Sequence, residues 1–351
     1  MTPIEPFWPL PPTTAEHRWA IVLAGGSGVR LQALTKNELG VVVPKQYCSF
    51  RGNRSLLADA LARAACLAPV EQIIVVVAQE HERYWRHELV GIAREQIVVQ
   101  PRNCGTAAGV LLPLSVILDR DRDALVTVLP ADHFVADEHT LRDSLRAGQR
   151  LAEADPSRTL LVGIEPDDAE HEYGWILPDR DSMSPDVPAV LPVASFIEKP
   201  SRMQAAALWL GGAVWNSFFV IAKGGALRAL IEQRLPALAI RFAAEEPHLW
   251  PVRAERLYEQ MPSHDFSSEV LAGSVQHLGV LVAQACGWTD LGTPRRVVQC
   301  MQQVPNGLPG TMDSFGLGAS RCRGPSLVAS AKAWLDRKPV MLRREAFRDP
   351  A

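Results

Sequence analysis

The sequence is poor in the features that announce specialised classes of protein. It holds six cysteines in 351 residues, Cys48, Cys66, Cys104, Cys286, Cys300 and Cys322, with no CxxC pair and no histidine at zinc-finger spacing. That scatter speaks against a disulfide framework or a structural zinc site and favours free thiols in a reducing compartment. Positive charge is not in excess: 36 Lys and Arg face 39 Asp and Glu, a net charge of −3. No global field is therefore available to hold a nucleic-acid backbone or an anionic membrane. No apolar run reaches the roughly 18 residues of a membrane span. The opening stretch, MTPIEPFWPLPPTTAEHRW, places five prolines in its first 12 residues without a basic flank and apolar core, so it does not read as a secretory signal. No fixed-period repeat is visible. The expectation is a cytoplasmic protein without nucleic-acid or membrane partners; whether it is a homo-oligomer stays open.

What is there is ordinary globular material, 47% hydrophobic and 21% charged, long enough for one large or two small cores. Strand-length apolar runs recur at Trp19 to Leu23, Gln72 to Val77, Gln96 to Val99, Ala124 to Leu129 and Thr159 to Gly163. Between them, Ser55 to Cys66, Gly105 to Asp119 and Leu141 to Ala154 carry apolar residues at helical spacing. This alternation predicts an α/β fold, a mostly parallel sheet with helices on both faces. Shorter runs continue it at Gly174 to Leu177, Val193 to Glu198, Trp215 to Ala222 and Leu278 to Ala283, with helices over Ser201 to Leu210, Gly225 to Leu235 and Phe266 to Leu271. Three parts are predicted: a Pro-rich arm (1–17), one main domain (18–304) and a tail (305–351) containing a short amphipathic candidate, Leu327 to Leu335.

The first candidate site is LAGGSGVRL, residues 23–31, directly after the first strand. Glycines there, Gly25 and Gly26 among them, let backbone N–H groups converge on a phosphate, and Arg30 adds a bidentate cation. Lys45, in the apolar stretch VVVPKQY, is a second cation close downstream, and together they suggest a triphosphate cradle. Asp132, in VLPADHF at the end of the Ala124 to Leu129 strand, lies where ligands bind in open α/β sheets and suits a hard Mg²⁺ ion. A turn or helix cap would use the same residue type. Asp290 in GWTDLGT is a partner carboxylate; Asp265 is another, though its place before an apolar helical stretch equally fits an N-cap. Four further segments carry polar residues at strand ends: QPRNCGTAAG with Gln100, EYGW with Gly174, IEKP with Glu198 and Lys199, and WNSF with Asn216.

Taken together and in this order, these segments resemble the sugar-1-phosphate nucleotidyltransferases, most of all the mannose-1-phosphate guanylyltransferase branch, over residues 19 to 300. The resemblance implies a Rossmann-like core of the nucleotide-diphospho-sugar transferase type, joining GTP to mannose 1-phosphate, or another hexose 1-phosphate, with release of pyrophosphate. It implies that Gly25, Gly26 and Arg30 meet the triphosphate, that Lys45 neutralises the phosphates, and that Gln100 and Gly105 meet the guanine. It makes Asp132 and Asp290 the Mg²⁺ ligands, Gly174, Glu198 and Asn216 the sugar readers, and Lys199 the contact to the sugar phosphate. The chain departs from the common pattern at Cys104, where an arginine is usual, at Ala108, where a proline is usual, and at WNSF, which lacks the glycine of WNSG. Two other readings stay open at this point: a glycosyltransferase consuming a nucleotide sugar, with ADH as a degenerate metal motif, and a nucleotidyltransferase-like binding or regulatory module without turnover.

Overall fold

Every residue of the run RWAIVLA after Arg18 is apolar, so the strand it forms must be covered on both faces. It becomes β1 (Arg18–Ala24), near the middle of a nine-stranded sheet. The computed structural model describes residues 15–37, 39–50, 54–181, 190–243 and 255–303. Most of the predicted arm, the whole tail with its Leu327 to Leu335 candidate, and Cys322 lie outside these residues. Among the described residues, none of the other five cysteines forms a disulfide.

The strands are β2 (Ile73–Ala78), β3 (Ile97–Gln100), β4 (Leu125–Pro130), β5 (Phe134–Val135), β6 (Thr159–Ile164), β7 (Gly174–Pro178), β8 (Leu191–Glu198), β9 (Val214–Lys223), β10 (Leu278–Val282) and β11 (Trp288–Thr289). The main sheet runs β3-β2-β1-β4-β9-β6-β10-β8-β7, and β5 pairs with β11 in a separate two-stranded ribbon. β1 is parallel to β2 and to β4, β2 to β3, and β6 to β10. β9 is antiparallel to its neighbours β4 and β6, and β8 to β10 and β7. The α/β prediction holds, with one refinement: β8 and β9 run against the other strands. A strand buried on both faces reads the same in either direction, so its apolar run carries no information on which way it points.

The helices are α1 (Leu56–Ala65), α2 (Glu82–Glu88), α3 (Gly105–Arg120), α4 (Glu138–Ala154), α5 (Arg202–Leu210), α6 (Gly224–Arg234), α7 (Pro236–Ala243) and α8 (Pro294–Gln303). Side-chain oxygens satisfy the first amides at several starts: Ser55 accepts from Ala58 N, Asp137 from His139 N and Thr140 N, and Ser201 from Gln204 N. The predicted helix at Phe266 to Leu271 is instead a single π-helical turn. Alternate residues of β1 divide between two cores. Ala20 and Val22 pack with Leu56, Leu57, Leu141 and Leu145 from α1 and α4, whereas Trp19 and Ile21 pack with Leu111, Leu227 and Leu238 from α3, α6 and α7. Helices thus cover both faces, as the sequence pattern predicts.

Candidate active site

The loop after β1 and the residues after β4 meet at the carboxyl end of the parallel strands, where an open α/β sheet leaves a crevice. Lys45 follows Pro44 in a short 3-10 turn and is almost wholly buried. Its ammonium lies 2.8 Å from Asp132 Oδ2 and donates to the Asp290 backbone carbonyl at 2.5 Å. The sequence-predicted cation and both predicted acids therefore share one spot. The β5–β11 ribbon brings them there: the pairings Thr289↔Phe134 and Trp288↔Val135 clamp the stretch after Asp132 to the stretch before Asp290. Burial, the largest single influence, pushes the Asp132 carboxyl upward, but the Lys45 ammonium together with His133 holds the group below the ordinary carboxylate range. His133 is pulled down to about 4, chiefly by burial, and is neutral at pH 7.

Arg30 reaches the same cluster. Its guanidinium lies 3.0 Å from Glu172 Oε2 and 3.4 Å from Asp290 Oδ2, with nearly half of the side chain exposed. Asp290 Oδ1 accepts from the Tyr173 hydroxyl at 2.8 Å and from Gly292 N at 2.6 Å. The tripeptide Glu172-Tyr173-Gly174 forms a seam, because its first two residues hold Arg30 and Asp290 and its third opens a second cluster. Gly174 is the register partner of Glu198 across β7 and β8. A Cβ on Gly174 would stand 2.5 Å from Glu198 Oε2 and 3.2 Å from Asn216 Cβ, so the predicted sugar readers lie together and a larger residue would push the Glu198 carboxylate aside. Burial, followed by the charge of Asp265, raises the Glu198 carboxyl from 4.5 to about 7, while Lys199 and Arg30 act against the rise. Lys199 is largely exposed, its Nζ 3.9 Å from Glu198 Oε1.

Among the described residues, three non-glycine residues have positive φ: Lys199 at 46°, Phe218 at 62° and Leu291 at 48°. Each follows within two positions of a predicted site residue, Glu198, Asn216 or Asp290. Such conformations cost on the order of 1–3 kcal/mol and cluster where a fold holds a site in place. Phe218 is the residue standing where WNSG has its glycine. It sits at a register shift between β6 and β9, and its amide donates to Asn216 Oδ1 at 3.2 Å.

A family model for nucleotidyl transferases matches residues 19–307. The chain belongs to the nucleotidyl transferase family. Within that family it is 29% identical over 288 residues to the mannose-1-phosphate guanylyltransferase of Escherichia coli K12, covering 78% of this chain and 58% of that protein. To ManC, a mannose-1-phosphate guanylyltransferase of Salmonella typhimurium, it is 28% identical, covering 82% and 60%. To the alginate biosynthesis protein AlgA of Pseudomonas putida it is 25% identical, covering 82% and 59%. The chain thus spans about three-fifths of the length of these curated relatives. A solved structure from Thermus thermophilus, described as a mannose-1-phosphate geranyltransferase, superposes with a TM-score of 0.69 at 27% identity, covering 83% of this chain and 81% of that one. No described helix is long and apolar enough to cross a membrane.

In this nucleotidyl transferase the loop glycines divide their work in a way the motif does not show. Gly28 is the one with positive φ, 59°, and a Cβ there would meet Lys45 Cβ at 3.1 Å. Gly26 faces open space, and Gly25 faces Gln100 Oε1, 2.8 Å from where its Cβ would be. Gln100 is buried and donates to the Tyr258 hydroxyl at 2.9 Å. Gly105 has φ +83°, and a Cβ there would lie 2.1 Å from the His264 carbonyl oxygen, so its backbone is fixed by packing against residue 264. Asp265 caps the π-helical turn, accepting from Ser268 N and Thr106 Oγ1, which selects the capping alternative for that residue. Arg102, two positions before Cys104, donates to the carbonyls of Tyr258, Glu259 and Met261.

Sequence reasoning did not single out Gln46, Glu172, Tyr173 or Arg296. Gln46 donates to the Ala24 and Gly26 carbonyls at 2.7 and 2.9 Å and so fixes the glycine loop. Its place beside Lys45, and Tyr173's place beside Gly174, were the available signals. Arg296 had none: buried in α8, it pairs with Glu170 and Asp167 and stacks over the Trp215 and Tyr173 rings.

Proposed function

We propose that this chain transfers a guanylyl group from GTP to mannose 1-phosphate, yielding GDP-mannose and pyrophosphate. The observation that carries the reading is the convergence of Lys45, Asp132, Asp290 and Arg30 on one spot, joined by the Glu172-Tyr173-Gly174 seam to the Gly174, Glu198 and Asn216 cluster. One half is cationic and carboxylate-lined, suited to a polyphosphate; the other offers a carboxylate and an amide beside a glycine, suited to hydroxyls. The names of the curated relatives supply the base and the sugar.

A phosphate oxygen of the sugar phosphate attacks the α-phosphorus in line, a new P–O bond forms, and the bond from the α-phosphorus to the bridging oxygen breaks as pyrophosphate leaves. No covalent enzyme intermediate is needed, so catalysis is positioning and charge neutralisation. Arg30 and the backbone amides of the Gly25 to Gly28 loop bind the triphosphate, with Gln46 holding the loop in shape. Lys45 neutralises charge at the reacting phosphates. The Gly105 amide is taken by Asn103 Oδ1 and its open side by residue 264, so Gln100 is the residue assigned to the base; Glu198 and Asn216 orient the sugar hydroxyls, and Lys199 meets the sugar phosphate.

The donor set fits Mg²⁺. Asp132 with its carboxylate and Asp290 with its backbone carbonyl already face a cation, the Lys45 ammonium, and hard oxygen ligands with places left for water and phosphate are what this ion takes. Asp132 and Asp290 would hold it, and when bound it supplies Lewis-acid neutralisation of the phosphates.

The test is pyrophosphate release by the full chain with Mg²⁺ over a panel of nucleoside triphosphates and hexose 1-phosphates. The largest signal is expected for GTP with mannose 1-phosphate. Silence across the whole panel would overturn the reading.

A further inference from the structure

Tyr173 has no part in the reaction as written above, yet it is the most tightly held side chain around the acidic pair. Its ring is buried, edge-on to Trp215 at 5.0 Å and to Trp288 at 5.5 Å, with the Arg296 guanidinium 5.2 Å from its centre. Arg296 is itself fixed by Glu170 and Asp167 at 3.3 and 2.9 Å. The hydroxyl of this enclosed ring donates to Asp290 Oδ1, 2.8 Å away, with the Thr289 side chain beside it. Gly292 N donates to the same oxygen at 2.6 Å, across a turn in which Leu291 has φ 48°. Both donors therefore serve Oδ1, while Oδ2 meets the partly exposed Arg30 guanidinium at 3.4 Å, the one ion-pair partner of that oxygen among the described residues.

We infer that Tyr173 is a positioning residue for the divalent cation: its hydroxyl, with the Gly292 amide, pins Asp290 Oδ1 and leaves Oδ2 as the oxygen offered to the metal. The inference rests on the proposed reading of Asp132 and Asp290 as metal ligands. Its physical basis is general. A ligating carboxylate that is free to rotate loses orientational freedom on binding a cation, and one already held by outer hydrogen bonds does not. The aromatic cage and Arg296 act one step further out, by fixing the phenol that fixes the carboxylate.

The experiment is a Mn²⁺ titration of the full chain, read by the electron paramagnetic resonance of free Mn²⁺, with no nucleotide present and no turnover. Tyr173→Phe keeps the ring and its packing and removes only the hydroxyl. It is expected to weaken Mn²⁺ binding about tenfold to a hundredfold, the usual effect of losing an outer-shell partner. Asp290→Asn is expected to weaken it as well, and Tyr173→Phe added to Asp290→Asn should produce no further loss, because the hydroxyl acts through that carboxylate. Unchanged Mn²⁺ affinity in Tyr173→Phe, or an equal additional loss on the Asp290→Asn background, would overturn the inference and leave the metal reading standing. A wild-type chain that binds no Mn²⁺ would overturn both. Near-ultraviolet circular dichroism, to which the packed Trp215 and Trp288 rings contribute, shows whether the variant keeps its packed cage.

Discussion

Gly174 and Glu198 are register partners on adjacent antiparallel strands, and the missing side chain of one is the space occupied by the carboxylate of the other. A methyl group at 174 would stand 2.5 Å from Glu198 Oε2 and press on Asn216 as well. The glycine is therefore a requirement of the site rather than of the strand, whose geometry any residue could adopt.

Replacing Gly174 by alanine should displace both sugar readers at once. Because the strain falls on side chains rather than on the backbone, overpacking should cost about 1–3 kcal/mol of stability. The Michaelis constant for mannose 1-phosphate should rise about tenfold or more, the equivalent of roughly 1.4 kcal/mol of lost positioning. Steady-state kinetics with GTP saturating separates this from a general defect, since the constant for GTP should move much less.

The raised Glu198 carboxyl sets a pH dependence with a definite sign. Its folded value of about 7 lies above its ordinary 4.5, so between these values the folded chain binds more protons than the unfolded one. The contribution of this group to stability is complete below about 4.5 and is lost as pH rises toward 7. Glu198→Gln removes the titration, so melting temperature plotted against pH should fall less for the variant than for the wild type across that window. Parallel curves would show that Glu198 ionises normally in the fold.

Lys45 should matter to both chemistry and acid stability. Lys45→Met removes the charge beside the reacting phosphates, and pyrophosphate release should drop about a hundredfold to a thousandfold, as when other preorganised charge stabilisers are removed. The same change removes the chief influence holding Asp132 below the ordinary carboxylate range. A carboxyl lowered in the folded state stabilises above its unfolded value and loses that contribution as pH falls through the folded one. The variant should consequently show a shallower decline of melting temperature on acidification than the wild type.

Phe218 offers a test of strain separated from packing. Phe218→Ala and Phe218→Gly both delete the ring and its contact with Phe266, but only glycine relieves the positive φ of 62°. The glycine variant should be more stable than the alanine variant by about 1 kcal/mol. Chemical denaturation of the pair reads the difference directly, and equal midpoints would mean that residue 218 carries no backbone strain.

Apolar patterning alone marked the nine strands of the main sheet and five of the eight described helices, because burial on two faces demands unbroken apolar runs and one-sided burial demands helical spacing. It also marked the places where polar residues interrupt those runs at strand ends, so Arg30, Lys45, Asp132, Glu198, Asn216 and Asp290 were visible as candidates. What it left undetermined depends on contacts between distant segments. The directions of β8 and β9, the two-residue ribbon of β5 and β11, and the duty of each loop glycine have no local signature. Long-range contacts set Lys45 against the Asp132 carboxylate and the Asp290 backbone carbonyl, Tyr173 against Asp290, and Arg296 against Tyr173. The reason is physical: a strand's burial is written in its own residues, but a buried charge is stable only against a partner that the closure of the whole sheet brings within reach.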